Sequence, residues 1–353
     1  MLTGFPDHSI RRNNMQFLRK FSHTILLVLL LFLTGCAKNS DLQKALTFNN
    51  TIGVHHGAVK AVVFSPSGET VYSTDGTNLI QAWDVSSSLP VFGGGRLGGG
   101  QILAFSPNGK VAVARSRNVL IVVDLVDKRV SSDIEVSLES VNFSPAYAYL
   151  SSDGAKALLV DGYGHVSLWD LVEARVLFPF LTKAYDGGFN EGRDASAYSP
   201  AGSLVLVASS LSPKLEILDV ESGNILRTII VHDQGTRASA FSSDGTEIAT
   251  VGVDNSFKLW NVESGKLLNT YDTSAVFVIN RVAFSSYRKL LITGHDDGSM
   301  TIWSAETGSI LKQFKAHDGW VETIAVSPDG QGLASGGPYG KVNYWNLAKI
   351  LAE

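Results

Sequence analysis

Phe241-Ser242-Ser243-Asp244-Gly245-Thr246-Glu247-Ile248-Ala249-Thr250-Val251-Gly252-Val253-Asp254-Asn255-Ser256-Phe257-Lys258-Leu259-Trp260-Asn261 decides the fold. Two short β-rich runs, Glu247 to Val251 and Phe257 to Trp260, are separated by turn residues, and a serine that closes an apolar run stands 18 positions before a tryptophan. The pairing recurs along the chain. Serines end apolar runs at Phe64-Ser65, Phe105-Ser106, Tyr198-Ser199, Phe284-Ser285 and Val326-Ser327, and apolar residues follow at Trp83, Val123, Leu218, Trp303 and Trp345, 17 to 19 positions on. Between the second and fourth of these units two serines compete. Ser151 lies 18 residues before Trp169 and Ser144 lies 25 before it, so Ser151 sets the register and there are seven units of about 41 to 48 residues. A period of that length is the mark of a repeat architecture.

Within a unit the runs have the period and composition of strands. Lys266 to Tyr271 and Ser309 to Phe314 are β-rich and follow the turn signals Glu263-Ser264-Gly265 and Glu306-Thr307-Gly308. Turns such as Pro328-Asp329-Gly330 combine a fixed φ with a residue tolerant of positive φ. Four short strands per unit, repeated seven times, predict an all-β, seven-bladed β-propeller of four-stranded blades.

These residues resemble a WD-repeat propeller over the stretch 44–353. The resemblance implies that His232, Thr250, Asp254 and Trp260 form a buried hydrogen-bonded network. The sixth unit keeps Thr293, Asp297 and Trp303 but has Ala275 at the histidine position. The seventh keeps His317, Ser335 and Trp345, with Tyr339 for the aspartate, while units two and four have Val123 and Leu218 for tryptophan. After Trp345-Asn346 the last unit lacks an outer strand, and Lys44 to Phe48 is expected to supply it from the amino end. Such a loan leaves no long unpaired edge.

The amino end carries a different signal. Arg11, Arg12, Arg19 and Lys20 precede an apolar run from Ile25 to Leu33, which is too short to span a bilayer and has the layout of a secretory signal. A start at Met15 gives a more compact signal than one at Met1. Leu33-Thr34-Gly35-Cys36 resembles the lipobox of bacterial lipoproteins, and Cys36 is the sole cysteine in 353 residues. The resemblance implies cleavage after residue 35, lipid on Cys36, and a tether over 36–43 that reaches at most about 25 Å. Ala37 lacks the aspartate that retains such proteins in some inner membranes, so in a diderm organism the outer membrane is expected.

Composition narrows the function. Residues 36–353 carry (29 − 4) basic and (33 − 1) acidic residues, a charge of −7, and nucleic-acid binding needs a basic footprint. Gly93 to Gly98 matches G-x-G-x-x-G, but it lies in a glycine tract with no helix to present to a phosphate. The histidines have no metal-ligand spacing, Asp296-Asp297-Gly298 lacks the further acids of a calcium loop, and no serine sits in G-x-S-x-G. No enzyme, cofactor or metal site is expected. The inner strands read Ala104-Phe105, Ala240-Phe241, Ala283-Phe284 and Ala325-Val326, which speaks against chemistry in the central channel.

What remains is a lipid-anchored, non-catalytic scaffold at the cell envelope that binds a protein or peptide partner through loops on one face. On the face implied by the resemblance lie Trp320, Tyr339, Tyr185, Phe189, Arg193, Arg115 and Arg117, with His295 and Asp296. Aromatic residues and arginine are enriched at interface centres. Trp320 and Tyr339 share a blade and form the leading patch. The alternative is a periplasmic enzyme or small-ligand binder that uses the channel.

Overall fold

The computed structural model describes residues 51–352 apart from 76–78, 93–100, 118, 127–133, 138–144, 184–194 and 275. Seven four-stranded antiparallel sheets stand around an axis. Blades 1 to 6 are residues 59–92, 101–137, 145–183, 197–230, 236–271 and 279–315, each with its strands in chain order from the inside outward. The first strands of all neighbouring blades touch one another, including those of blades 7 and 1, so the ring is closed.

Blade 7 joins residues 323–346 to Thr51–Val54, which pairs antiparallel with Lys341–Asn346 as the outermost strand. Thr51 lies opposite Asn343 and its hydroxyl donates to Asn343 Oδ1 at 2.7 Å, and the His55 N–H donates to the Gly340 carbonyl at 2.8 Å. The chain does close its ring with an amino-terminal strand, but the described part of it is Thr51–Val54. Lys44 to Phe48 lies outside the described residues, as do the signal segment, Cys36 and the tether.

The repeated serine has one physical job. In blades 1 to 5 and 7, its hydroxyl accepts the backbone N–H of the residue five positions on, at 2.6 to 3.1 Å, which ties the hairpin between the first and second strands. Ser151 sets this turn in blade 3, directly after the strand Pro145–Leu150. Blade 6 departs from the pattern. Ser285 accepts the Tyr287 N–H and donates to Gly330 across the blade boundary, and the turn places Arg288 and Lys289 at φ 54° and 49° without a glycine.

Packing explains why units without tryptophan still form blades. Seven apolar clusters fill the seven gaps between neighbouring blades. The tryptophan position faces the preceding blade each time, and Val123 and Leu218 occupy it in blades 2 and 4, at 1% and 0% exposure. A buried Leu or Val still contributes about 1.5 to 3 kcal/mol, so what those blades lack is a hydrogen bond rather than a core. A short helix, Leu347–Ala352, ends the described chain, and its Ile350 and Leu351 pack on the cluster between blades 6 and 7.

Candidate functional site

Antiparallel pairing gives the ring two faces. Leading loops and the turns between second and third strands lie on one, here called upper, and the serine turns lie on the other. Beneath the upper face of blade 5, Trp260 Nε1 donates to Thr250 Oγ1 at 2.9 Å, and Thr250 Oγ1 lies 2.8 Å from His232 Nε2. His232 Nδ1 lies 2.7 Å from Ser256 Oγ, which donates to Asp254 Oδ1 at 2.6 Å. Because Ser256 spends its proton on the carboxylate, it must accept from His232 Nδ1–H. His232 Nε2 is then the acceptor of the Thr250 hydroxyl proton. The chain of bonds runs Trp260 to Thr250 to His232, and from His232 through Ser256 to Asp254. Asp254 is therefore joined to His232 through Ser256, a member that the motif alone does not reveal. Burial, assisted by the Lys258 ammonium, lowers the His232 pKa to about 4, so the ring is neutral at pH 7.

The other blades vary this theme. In blade 1, His55 Nε2 and Trp83 Nε1 each lie 2.7 Å from Ser73 Oγ, while His55 Nδ1 is 3.4 Å from the buried Asp75 carboxylate. Asp75 stands eight positions before its tryptophan, where blade 5 has Gly252, and it was not legible as a partner. Burial lowers the His55 pKa and the Asp75 charge opposes the shift. In blade 6, Trp303 Nε1 donates to Thr293 Oγ1 at 2.9 Å, and the histidine comes from the second strand: His295 Nε2 is 3.1 Å from Thr293 and 3.0 Å from Thr301. His295, expected on the binding face, is fully buried, and it supplies the ring that Ala275 cannot; Ala275 itself lies outside the described residues. Asp297 caps its own turn through Ser299. In blade 7, His317 Nε2 meets Ser335 Oγ at 2.6 Å, and burial with the Lys341 charge lowers its pKa to about 4. In blade 3, Trp169 Nε1 donates to Ser167 Oγ on its own strand at 2.8 Å.

On the upper surface, Trp320 is 45% and Tyr339 67% exposed. The Tyr339 ring and Pro338 lie over Gly319, the neighbour of Trp320, so close that a Cβ at Gly319 would meet Pro338 at 2.7 Å. The Trp320 indole donates to Glu322 Oε2 at 2.5 Å, and Lys60 Nζ lies 3.2 Å from Glu322 Oε1. Burial works against the Glu322 charge, but the Trp320 hydrogen bond and the nearby Lys60 and Arg281 charges together outweigh it and hold the carboxyl below its usual range. Arg117 is exposed at a turn tip with φ 53°. Arg115 is placed differently from its neighbour. Its guanidinium donates to the Pro145 carbonyl at 2.7 Å and ties blade 2 to blade 3. Tyr185, Phe189, Arg193 and the glycine tract lie outside the described residues.

The apolar surface is sorted between the faces. Among the described residues, the exposed aromatic side chains are Tyr147, Tyr163, Phe277, Trp320 and Tyr339, and all belong to the upper half. The lower rim exposes aliphatic side chains instead, among them Leu226, Leu268 and Leu311 at matching positions of three consecutive outer strands.

A cavity of about 560 Å3 opens at the upper end of the axis, lined by first strands and leading loops of all seven blades. Its lining is more polar than the Ala-Phe pairs suggest. Those pairs lie at the lower ends of the strands, whereas the upper ends bring Lys60, Gln101, Arg237, Asn280, Arg281 and Glu322 to the cavity. Among the described residues no group of three His, Cys, Asp or Glu side chains is arranged to hold a metal ion, and no helix is long and apolar enough to cross a membrane.

Seven four-stranded blades, an amino-terminal closing strand and buried tryptophan–hydroxyl–histidine networks define a propeller built from tryptophan-centred repeats. The chain carries WD40 repeats: the family model described as WD domain, G-beta repeat, matches residues 47–84, 223–261, 265–304 and 308–346. These stretches include the tryptophan strands of blades 1, 5, 6 and 7, where histidine networks are found. The chain is similar to Autophagy-related protein 16 of Arabidopsis thaliana, 24% identical over 306 residues, which is 86% of this chain and 50% of the relative. It is 32% identical over 313 residues to Apoptotic protease-activating factor 1 of Rattus norvegicus, 89% of this chain and 18% of the relative. It is 28% identical over 106 residues to WD repeat and SOCS box-containing protein 1 of Takifugu rubripes, 30% of this chain and 23% of the relative. The chain thus spans half or less of the length of these relatives.

Proposed function

We propose that the protein is a non-catalytic scaffold that binds a protein or peptide partner through its upper face, held at the bacterial cell envelope by lipid on Cys36. The observation that carries partner binding is the placement of every described exposed aromatic side chain on one face of a rigid ring, with Trp320 and Tyr339 on one blade. Trp and Tyr supply large contact area at low entropy cost and dominate interface energetics. One relative is by name a WD repeat and SOCS box-containing protein, a repeat domain joined to a second module, which supports an adaptor reading. The anchor rests on the sequence around Cys36 alone, and outer-membrane sorting rests on Ala37 in a diderm host.

Crosslinking in intact cells followed by pull-down tests the scaffold. A stable partner is expected with the native chain and is lost with Trp320→Ala plus Tyr339→Ala. Equal recovery with both chains, or no enrichment over an unrelated lipoprotein, would sink the reading. Cys36→Ser is expected to abolish acyl labelling, and unchanged labelling would remove the anchor while leaving the scaffold intact.

A further inference from the structure

The outer strands of blades 4, 5 and 6 start alike. Ile225-Leu226-Arg227, Leu267-Leu268-Asn269 and Ile310-Leu311-Lys312 hold matching positions, and in each the first two side chains are 38 to 57% exposed while the third is half-buried. Successive side chains point to opposite faces of a strand, and at the start of an outermost strand neither face is fully covered. The three pairs adjoin one another. A Cβ at Gly265 would meet Arg227 at 2.7 Å, one at Gly308 would meet Asn269 at 3.0 Å, and the Arg227 guanidinium donates to the Ser264 carbonyl at 3.3 Å. The turn before each pair in blades 5 and 6 is therefore seated on the outer strand of the preceding blade, and six aliphatic side chains form one ledge along the lower rim. The ledge ends on both sides. Val176 and Leu177 of blade 3 are half-buried in apolar clusters, and blade 7 carries Thr51–Val54 and the helix Leu347–Ala352 instead. Single exposed apolar side chains are ordinary, whereas a contiguous stretch marks an interaction surface.

The chemistry of the ledge separates it from the upper face. Among the described residues it exposes no aromatic side chain, whereas the centres of protein interfaces are rich in Trp, Tyr and Arg and their hot spots are poor in Leu. Formal charges nearly cancel along it: Arg227, Lys266 and Lys312 beside the pairs stand against Asp219, Glu221, Glu263 and Glu306 in the turns. Attraction to anionic headgroups therefore contributes little, and the aliphatic side chains must carry any binding. Long basic side chains lay their stems along apolar surface and keep their charged heads in water. Aliphatic residues at the acyl boundary with basic residues beside them are the makings of an interfacial membrane contact. The direction of the closing strand agrees. Thr51–Val54 pairs antiparallel with Lys341–Asn346, so it rises from the lower side toward the upper, and its blade adjoins blade 6, where the ledge ends. Cys36 precedes Thr51 by 15 residues, a reach of at most about 50 Å along the chain.

We propose that the lower rim of blades 4 to 6 rests on the surface of the bilayer, with the pairs Ile225-Leu226, Leu267-Leu268 and Ile310-Leu311 at the acyl boundary and the upper face turned away from the lipid. This rests on the reading of Cys36 as a lipid anchor: the anchor keeps the ring near the bilayer, and the ledge sets its orientation there.

The test reconstitutes the mature lipidated chain in vesicles of phosphatidylcholine and phosphatidylethanolamine that contain a phospholipid with a nitroxide near the acyl boundary. Cys36 is the sole cysteine and its thiol carries lipid, so Ser309→Cys beside the ledge and Asp296→Cys at the upper turn of the same blade each offer one thiol to a fluorophore. The Ser309→Cys label is expected to be quenched about three-fold or more as strongly as the Asp296→Cys label. Leu226→Ser, Leu268→Ser and Leu311→Ser together are expected to remove that difference with an unchanged thermal unfolding midpoint, and Leu268→Glu alone to reduce it. Equal quenching of the two labels, stronger quenching of the upper one, or a difference unaltered in both folded variants overturns the proposal. Quenching that requires anionic lipid also overturns it, as does quenching that appears only in crowded vesicles together with energy transfer between chains, which would place a second copy on the ledge. If Cys36 is acylated and the chain floats with the vesicles while both labels are quenched equally, the anchor stands and the ledge fails. If Cys36 is not acylated, the same two labels in a Cys36→Ser background with added vesicles decide the ledge by itself: preferential quenching of the Ser309→Cys label keeps it, and equal quenching removes it.

Discussion

Thr250 carries the relay of blade 5, and replacing it separates hydrogen bonding from packing. Thr250→Val keeps the shape of a fully buried side chain but removes the oxygen shared by Trp260 Nε1–H at 2.9 Å and His232 Nε2 at 2.8 Å. Two buried polar atoms lose their partners, and a stranded buried donor or acceptor costs about 1 to 3 kcal/mol. The expected loss is therefore about 2 to 6 kcal/mol, read from the shift in urea midpoint at unchanged slope. Thr250→Ser keeps the oxygen and deletes one methyl, which costs about 1 kcal/mol. Nitrogen-15 NMR of the native chain gives a second reading, because the relay requires the proton on Nδ1 of a neutral His232. A Thr250→Val loss no larger than that of Thr250→Ser, or a proton found on Nε2, refutes the direction assigned to the chain of bonds.

Acid should weaken the ring through the same histidines. His232 and His317 have folded pKa values of about 4 against 6.5 when unfolded, so the unfolded chain binds more protons between these values. Stability is expected to be full above pH 6.5 and to fall toward pH 4 by on the order of 3 kcal/mol per histidine, and His232→Gln should flatten that slope in pH-dependent urea melts. Ser151→Ala removes the hydroxyl that accepts the Lys156 N–H at 2.9 Å and donates to Asp153 Oδ1 at 2.6 Å; a loss of about 1 to 2 kcal/mol is expected, and the Asp153 pKa, held down by that same bond, should rise in an NMR titration. Gly340→Ala tests closure: Gly340 has φ +79°, and a Cβ there would meet the His55 carbonyl oxygen at 2.2 Å, so the junction of blades 7 and 1 should open first and amide exchange of Thr51–Val54 should accelerate more than that of blade 4.

The sequence makes the ring legible because each blade repeats two local signals, and both are local chemistry. The turn serine must reach an N–H a few residues ahead, which needs no distant partner, and the apolar residue some 18 positions on must fill the gap to the preceding blade, which needs only that the neighbour repeat the same pattern. Closure was legible as a missing outer strand supplied from the amino end, whereas its register is not a sequence signal: for the described part, Thr51–Val54, it is set against Lys341–Asn346 by the fit of Gly53 under the Trp83 ring, where a Cβ would come within 2.2 Å. The networks were half legible. His232 and Trp260 announce themselves by spacing, whereas Ser256, Asp75 and His295 enter them because of where the second and third strands end. The channel lining was read from the wrong end of the strands, since a bulge breaks the alternation on which such reading depends.

The distribution of these features around the ring bears on how binding and stability are linked. The described histidine networks lie in blades 5, 6, 7 and 1, and the same four blades supply Arg237, Arg281, Trp320, Glu322 and Lys60 to the channel mouth. His232 lies one strand start away from Arg237, and the Arg237 guanidinium donates to Val253, beside the Asp254 turn that ends the relay. Neutral buried networks are stiff because each member fixes the orientation of the next, and a stiff wall holds cations in place without an entropy cost when a ligand arrives. Thr250→Val is therefore expected to speed amide exchange at Val253 and Asp254 as well as lower stability. Ser167→Ala in blade 3, which strands the buried Trp169 N–H in the gap to blade 2, should lower stability and leave amide exchange at Val253 unchanged. Equal effects of the two variants on exchange at Val253 would mean that the networks serve only to hold blades together, and that the backbone beside Arg237 owes nothing to the relay.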